Sequence, residues 1–224
     1  MIKIENIEVV GWEAAIRGMR NPLNSWAKSD SENKYYGGDC YNGVFELGEN
    51  DKDLMKRLCK AGTDHRKFMR MITVYVDVTA PLYWWKEFDT YKVGTVANSC
   101  STMHKIHAKE FTLGDFSCEH LFGYAEDCLI NTVYVLNDYR DIYINGGIIG
   151  REVYEPKDKR IWWQMIQLLP SSYNQKRTVM LNYEVLANMY KSRKNHKLDE
   201  WRELCEWMKN ELPYSELITG NFEE

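Results

Sequence analysis

The sequence predicts a mixed α+β fold, and three observations carry that prediction. Met71–Thr79 alternates Ile72, Val74, Val76 and Val78 with Thr73, Tyr75, Asp77 and Thr79. A period of two with β-branched residues on one side is the mark of a half-buried strand. Leu181–Lys194 and Leu198–Leu212 instead place apolar residues at helical spacing, the second through Leu198, Trp201, Cys205, Met208 and Leu212. Finally, Gly62, Pro81, Gly146-Gly147 and Pro170 punctuate the chain between short segments of both kinds.

Taken in order, Ile2 to Val10 reads as a strand and Gly11–Met19 as a helix with Trp12, Ala15, Ile16 and Met19 on one face. Asn24–Asn50 is rich in Gly, Ser, Asn and Tyr and reads as a loop. Asp51–Cys59 is a short helix with Leu54, Met55 and Leu58 inward, ended by Gly62 and followed by the polar loop Thr63–Lys67. After the strand, Leu82–Lys92 takes helical spacing through Leu82, Trp85, Phe88 and Tyr91, which puts Glu87 and Tyr91 on neighbouring turns. Gly94–Ser99 reads as a break, and Ser101 as the cap of a helix starting near Thr102. Cys118–Ile144 has helix-like spacing at Leu129, Val133 and Leu136, and Ile161–Leu169 is an apolar run closed by Pro170. With no repeat, low-complexity tract or linker, residues 1–224 are expected to form a single domain.

Composition narrows the function. At 224 residues and 44% hydrophobic, the chain can build one sizeable core. The net charge is −4 and no Lys/Arg block exceeds a few residues, so no nucleic-acid partner is expected. A single phosphate is a different matter, because one or two placed cations hold it. The cysteines, Cys40, Cys59, Cys100, Cys118, Cys128 and Cys205, form no C-x-x-C pair and read as reduced thiols. The first residues have no signal-peptide character, and no apolar run approaches the roughly 18 residues needed to span a bilayer. The expected location is the cytoplasm.

Several residue sets could carry chemistry. Asn182, Leu186, Met189 and Arg193 are spaced to share one helical face, with the guanidinium at the end of an apolar stripe. A desolvated guanidinium needs an anion, either an internal carboxylate such as Glu184 or Asp199, or a bound phosphate or pyrimidine. Glu87, Tyr91 and Lys92 place an acceptor, a phenol and a cation near a helix end. Asn98-Ser99-Cys100-Ser101 precedes a helix start, where serines either cap the helix or join its free N–H groups in holding phosphate. His104 and His107, with Cys100 and Cys118 nearby, do not assemble a zinc ligand set, so no metal is expected. His65 lies on a loop edge, facing solvent or a ligand. There is no G-x-G-x-x-G, Walker or G-x-S-x-G motif, so any flavin is held outside a Rossmann frame.

Three blocks of the chain resemble the flavin-dependent thymidylate synthases. In the first, His65 and Phe68 of Asp64-His65-Arg66-Lys67-Phe68-Met69-Arg70 match the family's segment before its alternating strand, and Arg70 falls where the family has a second His. In the second, Glu87 stands at the family's Gln, Thr90-Tyr91-Lys92 at its Arg-His-Arg, and Thr95 at its first Ser. Asn98 and Ser101 match its Asn and second Ser, Ser99 replaces its Glu, and Met103-His104 replaces its Arg-Tyr. In the third, Leu168-Leu169-Pro170, Tyr173, Gln175, Asn182, Arg193, His196 and Trp201 fall in family order.

The resemblance implies a thymidylate synthase-complementing-protein-like fold, a twisted, mainly antiparallel sheet packed with helices, assembled as a homotetramer. It implies reductive methylation of a dUMP-like pyrimidine deoxynucleotide, using FAD, with NADPH as reductant and methylenetetrahydrofolate as carbon donor. Glu87, Ser99, Ser101 and Arg193 would then bind the nucleotide. His65, Arg70, Thr90, Tyr91, Lys92, Asn98, Asn182 and His196 would line the flavin. The departures at Thr90, Ser99 and Met103-His104 remove charge-assisted contacts worth about 1.5–3 kcal/mol each. They leave open an inactive relative that binds a nucleotide or a protein partner, and an oligomeric structural or regulatory protein without a ligand.

Overall fold

The computed structural model describes residues 2–35 and 43–222. Its strands and helices follow one another as β1 (Lys3–Val10), α1 (Trp12–Arg20), β2 (Glu32–Tyr35), β3 (Gly43–Glu46), α2 (Glu49–Lys60), β4 (Thr73–Pro81), α3 (Leu82–Phe88), β5 (Val96–Ser99) and α4 (Thr102–Lys105). Then come α5 (Tyr124–Asn145), β6 (Gly147–Ile149), β7 (Glu152–Tyr154), α6 (Lys159–Leu168), β8 (Asn174–Asn182), α7 (Tyr183–Arg193), α8 (Asp199–Glu211) and α9 (Glu216–Thr219). The expected mixture of helix and antiparallel sheet is what forms. The largest sheet has four strands in the order β1-β4-β8-β5, and β2-β3 and β6-β7 are antiparallel pairs. Among the described residues no helix is long and apolar enough to cross a membrane.

The chain divides into two compact units. The first comprises Met1–Ile4, Asp77–Thr90 and Asn98–Thr178. Its core gathers Ile106, Phe111, Phe116, Leu129, Val133, Leu136 and Met165, where α5 packs on α6. Leu129, Val133 and Leu136 are spaced for one face of α5, which explains why only that stripe of a long helix is buried. A second apolar knot forms on α3, where Trp84, Trp85 and Phe88 meet at ring-centroid distances of 4.8–5.1 Å.

The second unit comprises Glu5–Val76, Tyr91–Ala97 and Val179–Glu224. Here α7 packs on α8 and α9, burying Tyr183, Leu186, Met189, Trp201 and Met208. Trp12 stacks on Phe45 of β3 at 5.7 Å and meets Tyr183 and Tyr214 edge-on. Arg20 of α1 donates to Asp51 of α2 across 2.6 Å, and both side chains are buried. Burial pushes the Asp51 carboxyl up, but hydrogen bonds from Ser31, Ser29, Arg20 and the Asp30 N–H outweigh it and hold the group below the usual carboxylate range.

Four expectations are corrected. Asn24–Asn50 is not simply loop: it contains a turn of 3₁₀ helix at Trp26–Lys28, the β2-β3 hairpin and the start of α2. The hairpin strands read Glu-Asn-Lys-Tyr and Gly-Val-Phe-Glu, too polar to show an apolar alternation. Leu82–Lys92 is helical only to Phe88, so Tyr91 is not one turn beyond Glu87. Gly94–Ser99 holds β5, which is exposed throughout and leaves no burial pattern in the sequence. Leu181 and Asn182 close β8 rather than open a helix. Cys59, Cys100, Cys118, Cys128 and Cys205 are free thiols, as expected, and Cys40 lies outside the described residues.

Candidate functional site

In the second unit, Arg193 ends α7 with a half-buried guanidinium. Its Nε donates to the Tyr91 hydroxyl at 3.0 Å. Its guanidinium carbon stands 4.8 Å from the centre of the Trp201 ring and 5.7 Å from that of Tyr91. Both lie within the reach at which a cation is attracted to a ring face. Trp201 is fully buried on α8, 5.9 Å from Tyr91 and 6.3 Å from the His196 ring. His196 Nδ1 accepts the Leu198 N–H at 3.2 Å, which leaves its ring proton on Nε2 in the neutral form. Tyr91, Arg193, His196 and Trp201 thus form one aromatic and cationic box, Tyr91 coming from a loop far along the chain from the other three.

Asn182 has a local duty: its side-chain oxygen accepts the Val185 N–H at 3.1 Å and caps α7. It therefore stands at the start of the helix, while Leu186 and Met189 continue the buried face towards Arg193. The Tyr91–Thr95 loop crosses this helix start. Gly94 has φ +79°, and a Cβ there would meet Asn182 Nδ2 at 2.9 Å and Val185 Cγ2 at 3.2 Å. A glycine is needed on both counts. The Thr95 hydroxyl donates to the Tyr91 carbonyl, tightening the loop that presents the phenol.

Glu184, one of the two internal acids named for Arg193, is held elsewhere. Its buried carboxylate accepts from Arg66 Nη2 at 3.0 Å, and its second oxygen stands 2.9 Å from Arg66 Nε at a poor hydrogen-bonding angle. The sequence pattern singles out His65 and Arg70 rather than Arg66, whose available signal is a cation close to the buried Phe68-Met69 pair. His65, Arg70 and Lys92 are exposed, and Lys92 directly follows Tyr91 of the box.

In the first unit, Glu87 is half-buried in the last turn of α3, and its carbonyl accepts the Thr90 hydroxyl at 2.7 Å. Thr90, Asn98, Ser99 and Ser101 are exposed. Ser101 Oγ accepts the His104 N–H at 3.0 Å, the ordinary cap of a helix only four residues long. Beside α4 opens a cavity of about 920 Å³, lined by Ser101, Thr102 and Lys105 and by Phe116, Tyr173 and Lys176. Among the described residues no His, Cys, Asp and Glu side chains gather into a metal site, and the His107 ring packs on Tyr143 at 4.8 Å.

The thiols differ sharply. Burial pushes the Cys59 thiol up to about 12 and the Cys205 thiol up to about 11, so neither is a nucleophile at neutral pH. Burial also raises the phenol of Tyr183, whose hydroxyl donates to the Pro213 carbonyl at 2.6 Å.

No family model matches the chain, and no curated protein matches it. Solved structures do. A thymidylate synthase X from Helicobacter pylori with FAD and dUMP superposes with a TM-score of 0.67 at 14% identity, covering 97% of this chain and 96% of that one. A second structure of the flavin-dependent enzyme from H. pylori, also complexed with FAD and dUMP, gives 0.66 at 14% identity over 98% and 100% of the two chains. A UMP/dUMP methylase, PolB, from Streptomyces cacaoi bound with 5-Br dUMP gives 0.57 at 12% identity over 93% and 88%. The chain has a fold like that of the flavin-dependent thymidylate synthases over nearly its whole length.

Proposed function

We propose that this chain is a divergent flavin-dependent thymidylate synthase-like protein that binds a dUMP-like pyrimidine deoxynucleotide, with residues 1–224 working as one domain in a cytoplasmic homotetramer. The observation that carries the reading is the Arg193 guanidinium, steered by the Tyr91 hydroxyl and backed by the Trp201 face. A planar cation with its orientation fixed in this way is suited to a phosphate or to a pyrimidine carbonyl. Glu87, Ser99 and Ser101 are proposed as further nucleotide contacts.

FAD is the proposed cofactor, with NADPH and methylenetetrahydrofolate as co-substrates. The residues present fit a dinucleotide in one respect: Arg70 and Lys92 are exposed cations with no acid beside them among the described residues, as a diphosphate requires. His65, Thr90, Tyr91, Asn98, Asn182 and His196 complete the proposed flavin set. The flavin would supply hydride transfer, and the chain's part is to bind and orient.

The test is direct. Purified protein should absorb in the flavin region, and dUMP should raise its melting temperature. At a hundredfold excess over Kd the gain is about 2.7 kcal/mol. Arg193→Ala should remove the dUMP effect while the protein stays folded. No colour and no response to dUMP would sink the reading. A second reading, a catalytically inactive nucleotide-binding or protein-interaction module, draws support from Ser99: an exposed hydroxyl stands where the family pattern has a carboxylate. It predicts colourless protein that dUMP still stabilises.

A further inference from the structure

The end of α3 and the Ser99–Ser101 stretch, both assigned to the nucleotide above, meet through β8. Gln175 and Arg177 are two apart on β8 and so share one face. The Arg177 guanidinium lies 4.2 Å from the centre of the Trp85 ring, donates from Nη1 to Asp89 Oδ1 at 2.7 Å and from Nε to Gln175 Oε1 at 3.0 Å. Gln175, 7% exposed, passes the connection on: its Nε2 donates to the Cys100 carbonyl at 2.9 Å, and its own carbonyl accepts the Trp85 indole N–H at 2.9 Å. The Cys100 N–H closes the circuit on the Lys176 carbonyl at 2.9 Å.

The chemistry of these contacts is demanding. Gln175 spends its oxygen on Arg177 and its amide hydrogen on Cys100, so it cannot shift towards one without releasing the other. Arg177 uses two edges of its fork at a fixed angle while its face rests on an indole, and its side chain is only 14% exposed. A lysine has one ammonium and no plane, and cannot reproduce that set. Asp89 directly precedes Thr90, and Cys100 lies between Ser99 and Ser101. None of these four groups is needed to close the helix, since Asp89 N–H already bonds to the Trp85 carbonyl at 2.9 Å.

We propose that Arg177 is a positioning residue: through Asp89 on one side and Gln175 on the other, it fixes the Glu87–Thr90 end of α3 and Ser99–Ser101 relative to each other for nucleotide binding. The nucleotide part rests on the function proposed above; the brace itself does not. The test uses the full chain with Arg177→Met, which keeps the apolar stem over Trp85, and with Arg177→Lys, which keeps the charge. Amide hydrogen exchange is followed at Asp89–Thr90 and at Ser99–Ser101, and dUMP affinity is titrated alongside. Both variants should speed exchange at both stretches by about tenfold or more and weaken dUMP by a similar factor, with Asp89→Asn milder because it retains an acceptor. Exchange that quickens at one stretch alone, or at neither, overturns the brace. So does an Arg177→Lys protein indistinguishable from wild type, since charge alone would then suffice. If the wild type binds no dUMP, the nucleotide reading has failed, and exchange at the two stretches still decides the brace.

Discussion

The two stretches that most resemble the flavin-dependent family are built in opposite ways. Along Asn182–Trp201, the matched side chains are interlocked: Asn182 caps a helix, Arg193 is held by a phenol, and Trp201 is fully buried. Along Glu87–Ser101, Thr90, Lys92, Asn98, Ser99 and Ser101 are all exposed. A residue that the fold itself uses is accounted for without a ligand. In the second stretch Thr90 answers to the Glu87 carbonyl and Ser101 caps α4, whereas an exposed polar side chain without such a duty has only solvent or a ligand to answer to. Asn182 and Trp201 are therefore weaker witnesses to binding than the half-buried Arg193, and the departures at Thr90 and Ser99 weigh more than their number suggests.

Trp201 is where that contrast breaks most visibly if it is wrong. Truncating a fully buried indole costs about 3–5 kcal/mol, so Trp201→Ala should shift the midpoint of denaturant unfolding accordingly. A cost near 1 kcal/mol would mean that the box is loosely packed and that its residues are held for something other than folding. The substitution also removes one face of the Arg193 site, so any dUMP response should fall with it.

Thiol chemistry sharpens the same contrast without any substitution. Cys100 is exposed between Ser99 and Ser101, whereas Cys205 is buried on α8. Burial, aided by Glu206, lifts the Cys205 thiol from 9.0 to about 11. Only the thiolate reacts, so at pH 8 Cys205 should offer about a hundredfold less nucleophile than an ordinary cysteine, apart from any steric protection. Its reaction should rise as pH increases towards that raised value, and be released fully on unfolding. Peptide mapping after brief alkylation should find Cys100 modified and Cys205 intact. Early modification of Cys205 would show that α8 opens readily.

How much of this was legible depended on whether burial or pairing set the sequence. β4 could be read because one side is buried throughout: Ile72, just ahead of it, and Val74, Val76 and Val78 within it are at most 3% exposed. β8 could not, although it lies inside the sheet order, because its first half is polar for pairing reasons: Gln175 and Arg177 serve the brace, and Lys176 and Thr178 both meet Asp77. The stripe on α7 is legible through Leu186 and Met189, but Asn182 stands just ahead of the helix as its N-cap, a role that Glu184 in the first turn hints at. The box itself was not legible. Tyr91 meets Arg193 only through tertiary packing, and no spacing in one sequence encodes a contact across that many residues; Trp201 is near in the chain but reaches Arg193 only once α8 folds back on α7.

Ser101 gives the smallest effect and the finest discrimination. As the cap of a four-residue helix, its replacement by alanine should cost about 0.5–1 kcal/mol, at the low end of capping effects because the helix it closes is short and exposed. Aspartate caps as well as serine does, so Ser101→Asp should restore that stability. The two roles of the hydroxyl then separate. A carboxylate in place of a phosphate-binding hydroxyl repels the phosphate, so Ser101→Asp should keep the fold and lose dUMP if the exposed stretch faces nucleotide. Equal dUMP affinity in wild type and Ser101→Asp would make Ser101 a cap and nothing more. Solvent would then account for that residue as completely as packing accounts for Trp201, and the contrast between the two stretches would say nothing about ligand at that position.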